Sequence, residues 1–140
     1  QPIFAESDLC DLYRWSGALL GLALRDPALQ QSETVTMLPS MDVEDYPARV
    51  ARLYRAVALL NGNREIRFAI ANMIDRSEYF RAAEARADPI VGEELALMET
   101  AFLRERWAEL RRKSAAFHRR RVARAGRVAA ELRPRSQTIE

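Results

Sequence analysis

An all-α fold follows from three features of this 140-residue sequence. Apolar residues recur at three- and four-residue spacings through most of it, and Asp-Pro and Asn-Gly breakers punctuate those stretches. The last stretch, 89–132, contains no breaker after its opening Pro89 except Gly92 and Gly126. The expected architecture is a three-helix antiparallel bundle with an N-terminal helical arm and a long basic C-terminal helical extension. The corresponding segments are an arm and linker over 1–41, a bundle over 42–110 and a tail over 111–140.

The arm helix is expected over 6–25, where Leu9, Leu12, Tyr13, Trp15, Leu19, Leu20 and Leu24 fall at mixed three and four spacings and Asp26-Pro27 stops it. Residues 28–41 turn to Gln, Ser, Thr and Pro without a helical period and read as a linker. Asp45 then caps a helix with Pro47 in its first turn, and Val50, Leu53, Tyr54, Val57 and Leu60 form its apolar stripe. Asn61-Gly62-Asn63 closes it. The next helix carries Ile66, Ile70, Met73, Ile74 and Phe80 and runs to Ala87, where Asp88-Pro89 both ends it and starts another. That final helix is expected to continue from 89 to 132, about 65 Å at 1.5 Å per residue. Val91, Leu95, Met98, Phe102 and Leu110 give its first half a core-facing stripe. Its second half has few large apolar residues and is expected to project from the bundle.

Length and a 49% hydrophobic content suit one domain with a real core. No run approaches the roughly 18 apolar residues of a membrane span. The sequence opens at Gln1 rather than Met, as a processed or trimmed chain would. Cys10, the single cysteine, excludes an internal disulfide and a cysteine-based metal cluster. The net charge of +2 conceals a division: residues 1–103 sum to −6 and residues 104–140 to +8. Charge facing a partner is therefore expected in the tail.

Leu53-Tyr54-Arg55 lies early in the first helix of the bundle, and Phe80 follows on the second among the basic residues Arg76 and Arg81. In this the sequence resembles the LYR-motif family of mitochondrial proteins, three-helix bundles with a Leu-Tyr-Arg/Lys triplet in their first helix and a downstream Phe in the second. The resemblance runs from Val50 to about Leu110. Its nearest likenesses are the LYR accessory subunits of respiratory complex I, through Phe68-Ala69, Tyr79-Phe80, Asp88-Pro89 and the opening Gln1-Pro2-Ile3-Phe4. The long basic tail departs from both of them. Leu12-Tyr13-Arg14 spells the triplet too, but a linker follows it and no Phe appears before Phe68, so the motif is assigned to the second copy.

The resemblance implies a non-catalytic accessory subunit of a mitochondrial inner-membrane complex, most simply complex I, on the matrix side. It would dock an acylated mitochondrial acyl carrier protein and touch other subunits of the assembly. No cofactor is implied in the chain itself; the acyl-phosphopantetheine belongs to the carrier. Arg49, Arg52, Leu53, Tyr54, Arg55, Arg76 and Phe80 are the implied docking residues. The physics suits an acidic carrier, because Arg49, Arg52 and Arg55 share a helix with Val50, Leu53 and Val57, fixed cations beside an apolar groove. Ala56, Ala58, Ala69 and Ala71 would leave room for a lipid tail between helices. LYR-type subunits also serve ATP synthase, the mitochondrial ribosome and iron-sulfur assembly.

A rival reading gives Arg111, Arg112, Lys113, Arg119, Arg120, Arg121, Arg124 and Arg127 to RNA phosphates, anionic lipid or an acidic protein surface, as in a ribosomal component. Only Trp107 and Phe117 offer stacking surfaces nearby, which argues against sequence-specific RNA reading. His118, the only histidine, is expected as a solvated helix residue and can build no His-based metal site or Ser-His dyad alone. The carboxylates Glu93 and Glu94 suit a helix start better than a metal site. No Gly-rich phosphate loop or nucleophile elbow occurs, and an enzyme is not expected.

Overall fold

A computed structural model describes residues 5–27, 29 and 45–133, and these residues are helical with no strands. The helices are α1 (Glu6–Ala23), α2 (Tyr46–Leu60), α3 (Arg64–Ser77), α4 (Arg81–Ala87), α5 (Val91–Leu103), α6 (Trp107–Ala123) and α7 (Ala125–Leu132), with one 3₁₀ turn (Glu78–Phe80) between α3 and α4. The all-α expectation holds. Most of the expected linker, and everything after Arg133, lies outside the described residues.

Capping explains several boundaries. The Asp45 carboxylate accepts from the Ala48 N–H at 3.2 Å and starts α2, while Asn63 Oδ1 accepts from the N–H groups of Glu65 and Ile66 at 2.9 and 3.1 Å and starts α3. The turn between them is tied to the end of α1. Asn61 Nδ2 donates to the Ala23 carbonyl at 3.0 Å, and the Gly62 N–H donates to Asp26 Oδ2 at 2.6 Å. At the Asp88-Pro89 junction, Asp88 Oδ1 accepts from the Ile90 N–H at 3.3 Å and the helix proper begins at Val91.

Arm and tail are both corrected by the packing. α1 is a wall of the core, with Leu9, Leu12, Tyr13, Ser16, Leu19, Leu20 and Ala23 buried, and its most extensive partner is α6. The pair runs antiparallel, since Cys10 meets the Val122 carbonyl, Ser16 meets His118, and Arg111 reaches the Leu24 carbonyl. Gly17 sits at the closest approach: a Cβ there would lie 3.0 Å from the His118 Cβ.

The long final helix is corrected too. It breaks at residues 104–106, where Glu105 takes a positive φ of 55° and the Arg106 N–H reaches back to the Ala101 carbonyl at 2.9 Å. Left-handed backbone costs a non-glycine residue about 1–2 kcal/mol. Trp107 offsets it by packing edge-on against Phe102, ring centroids 5.5 Å apart, which staples α6 to α5. As far as Arg133 the tail therefore folds back instead of projecting, and a second break at Arg124 lays α7 against α4 and α1.

One further correction concerns the helix expected to end at Ala87. It tightens into the 3₁₀ turn before α4, and Phe80 and Arg81 are both buried there. Phe80 packs edge-on against Tyr13, centroids 5.5 Å apart.

Candidate docking site

Two places follow from the motif residues, an outer cleft and an inner polar seam. The cleft lies between α2 and the end of α3, has a volume of about 460 Å³, and is lined by Arg52, Arg55 and Arg81 together with Asp45, Asp75 and Glu78. Leu53 and Tyr54 are buried, Arg52 is half-buried and Arg55 is exposed. Helical geometry makes this split: three successive residues point about 100° apart, so Leu-Tyr can face the core while Arg faces out. Of the three carboxylates, Asp45 is already engaged in capping α2.

The remaining expected docking residues are not gathered there. Arg49 turns toward α5 and holds Glu99 through two hydrogen bonds, Nη2 to Oε1 at 2.6 Å and Nε to Oε2 at 3.2 Å. Arg76 is exposed on another depression, beside Trp15 and Asp8. Phe80 is core. Of the small residues, Ala56 and Ala58 are buried in the core, Ala69 is half-buried and Ala71 is exposed.

Beneath the cleft runs the seam. Glu84 is fully buried and accepts from Tyr13 Oη and Tyr46 Oη, both at 2.6 Å, and from Arg81 Nη1 at 2.9 and 3.1 Å. Burial raises both phenols, and the neighbouring Glu84 charge raises them further. Burial alone would lower Arg81, but Glu84 and the surrounding tyrosines reverse this and its net shift is upward. The Arg81 guanidinium also lies 5.4 Å from the Tyr54 ring centroid and 5.2 Å from that of Phe80.

His118 corrects the expectation of a solvated residue. It is buried, its Nδ1 donates to the Ser114 carbonyl at 2.8 Å, and its Nε2 meets Tyr54 Oη at 2.9 Å and Ser16 Oγ at 3.0 Å. Burial pushes its pKa down to about 4, aided by the positive charges of Arg81 and Arg121, so the ring is neutral.

The basic tail is largely spent inside the molecule. Arg121 is fully buried, with Nη2 donating to Asp88 at 2.9 Å and to Glu94 at 2.8 Å, and its guanidinium lies 5.0 Å from the Phe117 ring centroid. Arg120 meets Glu94 at 2.6 Å and Arg124 meets Asp88 at 3.1 Å. Burial would raise Asp88, but the Ile90 N–H and Arg121 outweigh it and hold the carboxyl low; for Glu94 burial prevails and the shift is upward. Lys113 faces Glu109 at 3.8 Å, and Arg111 donates to the Leu24 carbonyl at 3.5 Å. Arg112, Arg119 and Arg127 remain exposed. The acidic first part of the chain and its basic end thus neutralise one another across α4, α5 and α6.

Glu84, Arg81 and His118 were not legible as site residues. The only local sign is Arg81-Ala82-Ala83-Glu84, a spacing that lets the pair meet on one helix face. Among the described residues no group of three or more His, Cys, Asp or Glu is arranged to hold a metal, and no helix is long and apolar enough to cross a membrane. Compared with known proteins, the chain matches no family model, no curated protein and no solved structure.

Proposed function

We propose that this chain is a non-catalytic docking subunit that presents the α2–α3 cleft to an acidic partner, and that this partner is an acylated acyl carrier protein. The observation that carries the reading is the arrangement of the second triplet. Leu53 and Tyr54 anchor α2 in the core while Arg55 stands exposed beside Arg52 at the cleft. Tyr54 and the buried Arg81 fix the cleft wall, so the arginines project from a rigid base and a carboxylate-lined helix can be met with little loss of side-chain freedom. The LYR resemblance supplies the identity of the carrier, and with it a place on the matrix side of the mitochondrial inner membrane, in complex I.

The test is native mass spectrometry of the chain co-expressed with a mitochondrial acyl carrier protein. A one-to-one complex carrying the mass of an acylated phosphopantetheine supports the reading. Separate, folded species sink it.

A further inference from the structure

The outward face of α1 belongs neither to the cleft nor to the seam. Its residues are Asp8, Asp11, Trp15, Ala18 and Leu22, continued by Arg25 in the turn just past the end of α1, alternately three and four apart, the spacing of a coiled-coil seam. All six are exposed, Trp15 by 46% and Leu22 by 55%. An apolar centre is thus flanked by carboxylates at one end and a guanidinium at the other. The short Ala18 leaves a gap one turn from the largest side chain on the face.

We propose that this face pairs with the same face of a second copy of the chain, with the two α1 helices antiparallel about a two-fold axis passing between Trp15 and Ala18. A two-fold interface must be complementary to itself, and this pattern is. Reversing the helix sets each Trp15 over the Ala18 of the other copy, large on small. The same operation brings Asp8 and Asp11 of one copy to the end that carries Arg25 of the other, twice over. A parallel arrangement would instead stack Trp15 on Trp15 and place like charges together. Asp8 accepts from the Ala5 N–H, and burial together with the Asp8 charge raises the Tyr79 phenol. Arg25 donates to the Gly21 carbonyl and Asp11 faces Arg14 at 3.8 Å, while Arg76 of α3 borders the same depression as Asp8, Asp11 and Trp15. A face one helix wide belongs to the small class of interfaces, below about 1,200 Å² in total, which implies a weak, reversible dimer.

Sedimentation equilibrium of the purified full chain, from about 1 to 200 µM and at low salt, tests the proposal. A concentration-dependent dimer is expected. Trp15→Glu should leave a monomer throughout the range, and Arg25→Glu should weaken the dimer at least tenfold. Leu59→Glu, at an equally exposed apolar residue on α2 (61%), should leave it unchanged. Circular dichroism checks that each variant stays folded. A wild type monomeric at 200 µM, a dimer that survives Trp15→Glu, or one lost equally with Leu59→Glu overturns the proposal.

Discussion

The two Leu-Tyr-Arg triplets, 12–14 on α1 and 53–55 on α2, take the same local form and meet different surroundings. In each, Leu and Tyr are buried and Arg is exposed. Tyr13 donates to a buried carboxylate, whereas Tyr54 faces a buried neutral imidazole. Arg14 stands on the wall between α1 and α6 beside Gly17, Ala18 and Ala115, and Arg55 stands at a cleft with Arg52 and Arg81. A tripeptide on a helix therefore sets only which way each side chain points. What the exposed arginine can recognise is set by the neighbouring helix.

The largest effect in this comparison should come from the centre of the Tyr13 side. Glu84→Gln leaves the Arg81 charge buried without its carboxylate and disturbs two tyrosine donors, and should cost about 3–5 kcal/mol in urea denaturation. On the Tyr54 side the sensitive variable is pH. The His118 pKa is lowered to about 4 in the fold against 6.5 unfolded, so the unfolded chain binds the extra proton first. Stability should be unaffected by this group above pH 6.5 and should fall as pH drops from 6.5 toward 4, by about 3 kcal/mol in all. His118→Gln should flatten that part of the stability–pH curve. Smaller still, Tyr13→Phe removes a bond to a charged group and should cost about 1.5–3 kcal/mol, against about 0.5–1.5 for Tyr54→Phe, both read by thermal unfolding. Arg14→Glu and Arg55→Glu should change stability by no more than about 0.5 kcal/mol. The smallest effect concerns recognition: Asp75→Asn or Glu78→Gln removes a carboxylate that lines the same cleft as Arg52 and Arg55 and would repel an acidic partner, and should tighten carrier binding slightly in titration calorimetry.

Where the chain carries explicit chemistry for its turns, the sequence could be read. The Asp45 cap, the Asn61-Gly62-Asn63 turn and the Asp88-Pro89 junction all mark real boundaries. The break at Glu105 carries no such mark, because a residue without glycine's freedom takes the left-handed position and Trp107 compensates through packing. The burial of α6 was hidden differently. Trp107, Leu110, Ser114, Phe117, His118 and Arg121 do recur at three- and four-residue spacings, but three of the six are polar, so an apolar count misses the stripe. Polar residues can occupy a core stripe only when partners arrive from elsewhere, and here those partners are Ser16, Tyr54, Asp88 and Glu94. Such pairings span up to 102 positions in the chain, and local periodicity holds no trace of them. The same long-range pairing consumes the basic tail that looked free.

The central claim is that the α2 triplet, and not its twin on α1, meets an acidic carrier. Isothermal titration of an acylated acyl carrier protein at low salt into wild type, Arg55→Glu and Arg14→Glu tests it most directly. The account predicts binding by the wild type, retention with Arg14→Glu and loss of at least tenfold in affinity with Arg55→Glu. No binding by the wild type, or equal losses from the two variants, would contradict it.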